Sequence, residues 1–293
     1  MKLTNKFNLP MPLYRAVAWQ NTQHSVGKAD LSCTQLIDAP LIAWLRRHYS
    51  DQVEEDIADR LWPLYGTLMH TLLEQFAAEG EHVETEAISS VDDFRISGHM
   101  DLVVTAAGLL QDYKFTSAWT IKTAKTEGKV EWERQLNVYR FLLENAVAGS
   151  GISDLPGIQK LQIVAMLRDW GPRHEQEGLQ PVEVIDVPLW SAEQGLAYVR
   201  DRIALHKAAQ GVTPPPICSP AERWATPTTF AVMKKGRQSA LKVCESETAA
   251  QTWIADNGKG EWIEERPGQN KRCESYCAFG KQGFCPYEPA KRT

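Results

Sequence analysis

Asp101, Asp112 and Lys114 are the residues whose types and spacing most clearly suit chemistry. They stand in RISGHMDLVVTAAGLLQDYKF (95–115), which reads as a tight β-hairpin. Ile96, Met100, Leu102, Val103 and Val104 carry an extended run, Ala107–Gly108 suits a two-residue turn, and Leu109–Leu110 open the return strand. Strand side chains alternate faces, so Asp112 and Lys114 share one. With a two-residue turn, Asp101 falls directly across from Lys114 and diagonal to Asp112, and the three converge. Two carboxylates and an ammonium on a half-buried surface are costly to desolvate by themselves. A divalent cation removes that difficulty, and oxygen donors suit Mg²⁺ or Mn²⁺. Such an ion would acidify a water and polarise a phosphoryl group, with Lys114 holding the water and offsetting the developing charge.

The elements around this hairpin offer further donors. A helix is predicted over 63–78, where Leu64, Leu68, Leu72 and Phe76 recur every four residues. His70 and Glu74 share a face of it, and Gly66 would let another backbone come close. A lone helical histidine is more often structural than a ligand; the acids that follow make His70 a candidate for the metal. Glu84 and Glu86, in the strand leading into the hairpin, are weaker candidates. After the hairpin comes a polar segment over 116–130, then a helix over 131–149 with Trp132, Leu136, Leu142, Leu143 and Ala146 inward. Gln135 and Tyr139 lie one turn apart there, an amide and a phenol suited to a nucleic-acid groove. Lys122 and Lys125, with Lys114, Lys129 and Arg134, form a local basic patch; a solvated charged loop is the competing explanation.

The chain opens with a short extended arm, then a helix start at Ser32–Thr34 interrupted at Pro40. Strands are predicted over 160–168 and 182–189, and a helix from Ser191, with Gln194 completing a capping box, to about Ala209. The Pro-rich GVTPPPICSP then marks the edge of the core, dividing the chain into 1–213 and 214–293.

At 293 residues, with 43% hydrophobic and 24% charged residues, the composition is that of a globular protein, and no apolar run reaches the roughly 20 residues of a membrane-spanning helix. No membrane partner is expected, and without a secretory leader pattern the cytoplasm is the expected compartment. A net charge of −5 is not the footprint of bulk attraction to nucleic acid, so any such partner must meet a local patch.

Five of the six cysteines fall in the last eighty or so residues. In a reducing compartment, clustered cysteines point to metal rather than disulfides. Cys273, Cys277 and Cys285 lie in RCESYCAFGKQGFCPY and call for a fourth ligand. Cys218 is preferred, Cys33 is the competitor, and Cys244 reads as a strand residue. Zinc and an iron–sulfur cluster both suit thiolates. Between Cys218 and Cys273 a small α/β appendage is expected, whose Lys234, Lys235, Arg237 and Lys242 could add contacts to DNA.

The order Gly66-x3-His70, Gly98-x2-Asp101, Asp112-x-Lys114, Gln135-x3-Tyr139, closed by the cysteine trio, resembles the RecB-like branch of the PD-(D/E)XK nuclease superfamily. Within it, the chain is most similar to phage-type and CRISPR-associated exonucleases with a cysteine-ligated iron–sulfur cluster. The nuclease motifs cover roughly 30–146, and the cysteines extend the likeness to about 287. The resemblance implies an α/β fold, a restriction-endonuclease-like mixed central sheet flanked by helices, with a C-terminal cysteine-ligated cluster region. It implies that His70, Asp101, Asp112 and the backbone carbonyl of Tyr113 hold Mg²⁺ or Mn²⁺. Lys114 would be catalytic, Gln135 and Tyr139 would position DNA, and a 4Fe–4S cluster on Cys218, Cys273, Cys277 and Cys285 would be structural. The C-terminal spacings are longer than in those relatives, and Cys33 precedes its helix where theirs follows, so zinc stays an alternative. The expected activity is exonucleolytic cleavage of DNA in replication or recombination, with a homo-oligomer or partner proteins of those processes as company, in a host cytoplasm if phage-encoded. The competing readings are a non-catalytic DNA-binding scaffold and a structure- or sequence-specific endonuclease.

Overall fold

The computed structural model describes residues 2–23, 29–153 and 155–287. The chain divides into two compact units, 1–43 with 54–213 and 44–53 with 214–293. The boundary at Thr213 lies within the Pro-rich GVTPPPICSP, and the ten residues from Trp44 to Val53 group with the second unit.

The elements up to residue 213 are β1 (Lys2–Thr4), α1 (Met11–Gln23), β2 (Leu31–Ser32), α2 (Cys33–Ile37), α3 (Pro40–Tyr49), β3 (Glu54–Asp56), α4 (Leu61–Glu74), β4 (Glu81–Val91), β5 (Phe94–Val104), β6 (Leu109–Thr116), α5 (Ala118–Glu127), α6 (Val130–Glu144), β7 (Lys160–Leu167), α7 (Pro172–Gln176), β8 (Val182–Val187) and α8 (Ala192–Gln210). Six strands form a mixed central sheet in the order β2-β5-β6-β7-β8, with β4 also paired to β5. Helices flank it. β6 and β7 are parallel, so their connection must cross over, and α5 and α6 supply that crossover. α6 lays Trp132, Leu136 and Leu142 into the core against Ile96, Met100 and Leu110 of the sheet. Hydroxyls of Ser32 and Ser191 start α2 and α8 through capping boxes with Gln35 and Gln194.

Three local expectations are corrected. The N-terminal arm is mostly the helix α1, held by tertiary contact: Val17 is fully buried, and the Gln20 amide donates to the Pro63 carbonyl at 3.0 Å and to Thr67 at 2.6 Å. The polar segment after the hairpin is the helix α5, capped by the Ser117 hydroxyl and buried only through Ala118, Ile121 and Ala124. In α4 the four-residue apolar row does not face the core, since Leu64 is buried while Leu68, Leu72 and Phe76 are 56%, 49% and 75% exposed.

The hairpin itself differs in register. Its connection is a 3₁₀ turn over Thr105–Ala107 followed by Gly108 at φ 55°, not a two-residue turn. Leu102 therefore pairs with Gln111 and Val104 with Leu109, and continuing that register sets Asp101 opposite Asp112 rather than Lys114. The shift is two residues, an even number, so the side chains keep their faces. One edge of β5 is paired to β4 along its length; the other is shared by β2, at Ile96–Ser97, and β6, at Leu102–Val104. Residues 98–101 thus lie in an opening between two strand partners, and Asp101 sits at its lip.

In the second unit, β9 (Thr229–Met233) is flanked by β10 (Lys242–Cys244) and β11 (Trp262–Arg266) in an antiparallel three-stranded sheet covered by α9 (Glu247–Asn257). A π-turn over Arg272–Tyr276 holds Cys273, Cys277 caps the short α10 (Ala278–Lys281), and Cys285 follows that helix.

Candidate metal centre and acid–lysine pair

Two adjoining groups of side chains occupy the opening in the sheet. The first is His70 from α4, Glu84 from β4 and Asp101 from β5, whose donor atoms lie within 4.8 Å of one another. His70 Nδ1 is 3.2 Å from Glu84 Oε1 and 3.3 Å from Asp101 Oδ1. Glu84 and Asp101 face each other across the β4–β5 ladder at the one position where its pairing is interrupted, between Val83–Leu102 and Thr85–Met100. There Glu84 adopts φ 44°, a left-handed backbone that a β-strand glutamate takes only under constraint. Asp101 is anchored from the other side, its Oδ2 accepting the backbone N–H of Tyr113 at 2.6 Å.

The second group is Asp112 and Lys114 of β6 with Gln135 and Tyr139 of α6. Lys114 Nζ lies 2.6 Å from Asp112 Oδ2 and donates to Gln135 Oε1 at 3.1 Å. The Gln135 amide donates to Asp112 Oδ1 at 2.9 Å and to the Tyr139 hydroxyl at 3.0 Å. Gln135 therefore fixes both members of the acid–lysine pair from behind. Tyr139 is only 6% exposed, too buried to lay its ring over a base, and its ring packs where Gly98 has no side chain. A Cβ at Gly98 would fall 2.8 Å from Leu142 and 2.9 Å from the Tyr139 ring, so the glycine permits the contact of α6 with β5. Gly66 has no such role, since nothing lies within 4 Å of the place a Cβ would take.

The electrostatics follow from crowding acids at a buried edge. Burial pushes the Asp112 carboxyl up to about 6, with the Lys114 ammonium opposing and Asp101 adding to the rise. Burial disfavours the Lys114 ammonium, yet the Asp112 carboxylate beside it prevails and holds its pKa above the ordinary value. Hydrogen bonds to Asp101 and then Glu84 raise His70 to about 10. An acid excess this concentrated suits a cation. Asp112 Oδ2 is buried without a hydrogen bond, meeting only the Lys114 ammonium. The imidazole and the Glu84 and Asp101 oxygens, which converge within 4.8 Å, make a donor set fit for a hard divalent ion, and Asp112 adjoins it.

The remaining candidates fall as follows. Glu84, not Glu86, joins the triad; Glu86 sits 3.7 Å from His99 on the exposed stretch. Strand alternation permitted both, and only the strained backbone at Glu84 separates them. The Tyr113 ring lies against His70, centroids 6.2 Å apart, on the face of β6 away from Asp112. Lys122 is ion-paired to Glu177, and Lys125 to Glu183 at 2.7 Å, so both lysines are engaged within the protein. Cys33 is buried, its thiol 3.7 Å from the Gln135 carbonyl and raised in pKa by burial first and then by Asp112.

In the second unit, burial pushes the Cys218 thiol up to about 12, and Cys273 and Cys285 are near enough to contribute. The Gly280 N–H donates to Cys277 Sγ at 3.4 Å. Among the described residues these thiols do not close to the mutual spacing of the His70 triad. None of the six cysteines is in a disulfide.

No family model matches the chain, and no curated protein matches it. Among solved structures it is similar to SSO0001, at 14% identity over 67% of this chain and 84% of that one, TM-score 0.45. It is also similar to a phage-related exonuclease from Haemophilus somnus 129PT, at 11% identity over 66% of this chain and 77% of that one, TM-score 0.27. At these TM-scores neither likeness carries its activity over to this chain. Among the described residues, no helix is long and apolar enough to cross a membrane.

Proposed function

We propose that this chain is a divalent-metal-dependent deoxyribonuclease of the RecB-like PD-(D/E)XK type, acting as an exonuclease on DNA ends. The observation that carries the reading is the contact of Lys114 with Asp112 at 2.6 Å, locked by Gln135 and adjoining the His70–Glu84–Asp101 triad. His70, Glu84, Asp101 and Asp112 would hold Mg²⁺ or Mn²⁺, which supplies Lewis-acid polarisation and charge neutralisation at the phosphoryl group. Lys114, held by Gln135, places an ammonium where negative charge develops on the phosphoryl oxygens and orients the attacking water. Asp101 keeps the two strands at the spacing the donors need through its bond to Tyr113.

Asp112→Asn and Lys114→Ala variants, assayed on end-labelled linear DNA with Mg²⁺ or Mn²⁺, test this. A loss of a hundredfold or more, on the order of the loss from removing one charge-stabilising group, is expected. Wild-type rates in either variant overturn the mechanism, and equal cleavage of circular DNA replaces the exonuclease with an endonuclease.

The cysteines support a structural metal in the second unit: a 4Fe–4S cluster on Cys218, Cys273, Cys277 and Cys285, with zinc as the other reading. The neighbouring thiols and the N–H donated to Cys277 favour it, and binding would require the loop over 273–285 to close on Cys218.

A further inference from the structure

α4 presents aromatic rings to solvent beside the candidate site. Trp62 is 50% exposed and Tyr65 42% exposed, although large apolar residues usually seek cover. They are set against Phe115 of β6, with centroids 5.7 Å between Trp62 and Tyr65, 6.3 Å between Trp62 and Phe115, and 6.5 Å between Tyr65 and Phe115. The row continues inward: Tyr113 shares Phe115's face of β6 and meets the His70 ring edge to face. The Trp62–Tyr65–Phe115 cluster and the Tyr113–His70 pair therefore lie along one face of β6, Phe115 and Tyr113 being two residues apart on the strand. Arg168 stacks its guanidinium 4.5 Å from the Trp62 ring. Unlike Lys122 and Lys125, it has no carboxylate partner among the described residues.

We infer that Trp62, Tyr65 and Phe115, with Arg168, form a platform on which unpaired bases of a DNA strand stack as its backbone enters the candidate metal site. The inference rests on the nuclease reading for the identity of the strand. Every base has a π face, so exposed rings receive bases without regard to sequence, and a guanidinium already stacked on one ring is placed to receive the adjoining phosphate. Trp62 and His70 are eight residues apart, about 12 Å along the helix. That spans three to four nucleotides at about 3.4 Å each. The platform would thus grip the strand a few nucleotides from the bond to be cut, selecting a frayed or single-stranded end over a blunt one. A partner protein would also bury apolar rings, but it would not need a guanidinium that, among the described residues, has no carboxylate partner and stacks on a ring beside metal donors.

The test uses the full chain with Ca²⁺ in place of Mg²⁺, fluorescein-labelled oligothymidine, and duplexes with blunt or single-stranded ends. Trp62→Ala/Tyr65→Ala is expected to weaken binding of oligothymidine and tailed duplex on the order of ten- to a hundredfold. Blunt-duplex binding should change little, and Trp62→Phe should restore most of the loss. With Mg²⁺, KM for tailed DNA should rise more than kcat falls, the signature of positioning residues. Wild-type affinity in the double variant, or a wild type that does not bind oligothymidine, overturns the platform. A change of oligomeric state in light scattering with unchanged DNA binding assigns the rings to a protein interface instead and also overturns it. Trp62-dependent binding without cleavage in any divalent metal would sink the nuclease reading and leave the platform standing.

Discussion

Asp101 Oδ2 accepts the backbone N–H of Tyr113 at 2.6 Å while its Oδ1 lies 3.3 Å from His70, so one carboxylate both ties β5 to β6 at the lip of the opening and belongs to the candidate metal triad. The two roles separate by substitution. Asn retains an oxygen for the Tyr113 amide but removes the charge. Asp101→Asn should melt close to the wild type and lose most Mn²⁺ affinity. Asp101→Ala orphans the amide as well, costing about 1–3 kcal/mol, or a fall of roughly 2–4 °C per kcal/mol in melting temperature. Calorimetric Mn²⁺ titration with thermal melts of both variants checks this, and equal melting of the two would show that the Tyr113 bond is dispensable.

Much of this site was legible as residue types. Alternation alone puts Asp112 and Lys114 on one face, and the capping boxes at Ser32 and Ser191 form where their sequences place them. What escaped depends on contacts distant in sequence. The turn after Val104 looked like a two-residue loop because Ala107–Gly108 suits one, yet a 3₁₀ turn before Gly108 shifts the register by two. α5 turns only Ala118, Ile121 and Ala124 inward and has no strong periodic signal. The four-residue row on α4 carried the right period but the wrong face, because Trp62, Tyr65, Leu68 and Leu72 stay exposed. Glu84 could not be preferred to Glu86 without the positive φ that turns it onto His70.

The hydrogen bonds of His70 to Asp101 and then Glu84 raise its pKa to about 10, so the metal-free imidazole is a cation at pH 7. A metal requires it neutral. Binding of Mn²⁺ at pH 7 should therefore release about one proton, and affinity should rise about tenfold per pH unit between pH 7 and 9. Calorimetry in buffers of different ionisation enthalpy reads the proton directly. The same shift sets a stability profile. With a folded pKa above the unfolded value of about 6.5, the histidine's contribution is complete below that pH and lost as pH rises through about 10. In metal-free protein, urea midpoints should fall across this interval, and His70→Ala should flatten the decline.

Gln135 holds both Asp112 and Lys114 and is itself held by Tyr139. Its removal should act on the rate rather than on DNA affinity. Gln135→Ala is expected to lower the single-turnover rate about ten- to a hundredfold, on the scale of losing a positioning contact near the reacting atoms, with Kd for DNA in Ca²⁺ within a factor of about three, less than one hydrogen bond's net worth. A parallel loss of affinity would instead make Gln135 a direct DNA contact. Gly98→Ala disturbs the same ladder from below, because its Cβ would meet the Tyr139 ring at 2.9 Å. Overpacking of this kind costs about 1–3 kcal/mol, so Gly98→Ala should melt lower and also turn over more slowly.

The fourth cysteine of the second unit is open to a similar dissection. Burial, Glu222 and the neighbouring Cys273 and Cys285 push Cys218 up to about 12, so without metal it is a protonated, sluggish nucleophile. Cys33 is also buried, but its thiol faces the Gln135 carbonyl in the first unit. If the cluster uses Cys218, Cys218→Ser and Cys277→Ser should each remove the brown colour and visible absorbance of anaerobically purified protein, whereas Cys33→Ser should retain both. In metal-stripped protein, thiol labelling near pH 8 should reach Cys218 slowly, and reloading iron and sulfide should protect it further. Colourless protein carrying stoichiometric zinc would replace iron–sulfur with zinc on the same ligands. Colour lost in Cys33→Ser but kept in Cys218→Ser would transfer the fourth ligand to α2, and the closing of the 273–285 loop on Cys218 would fall with it.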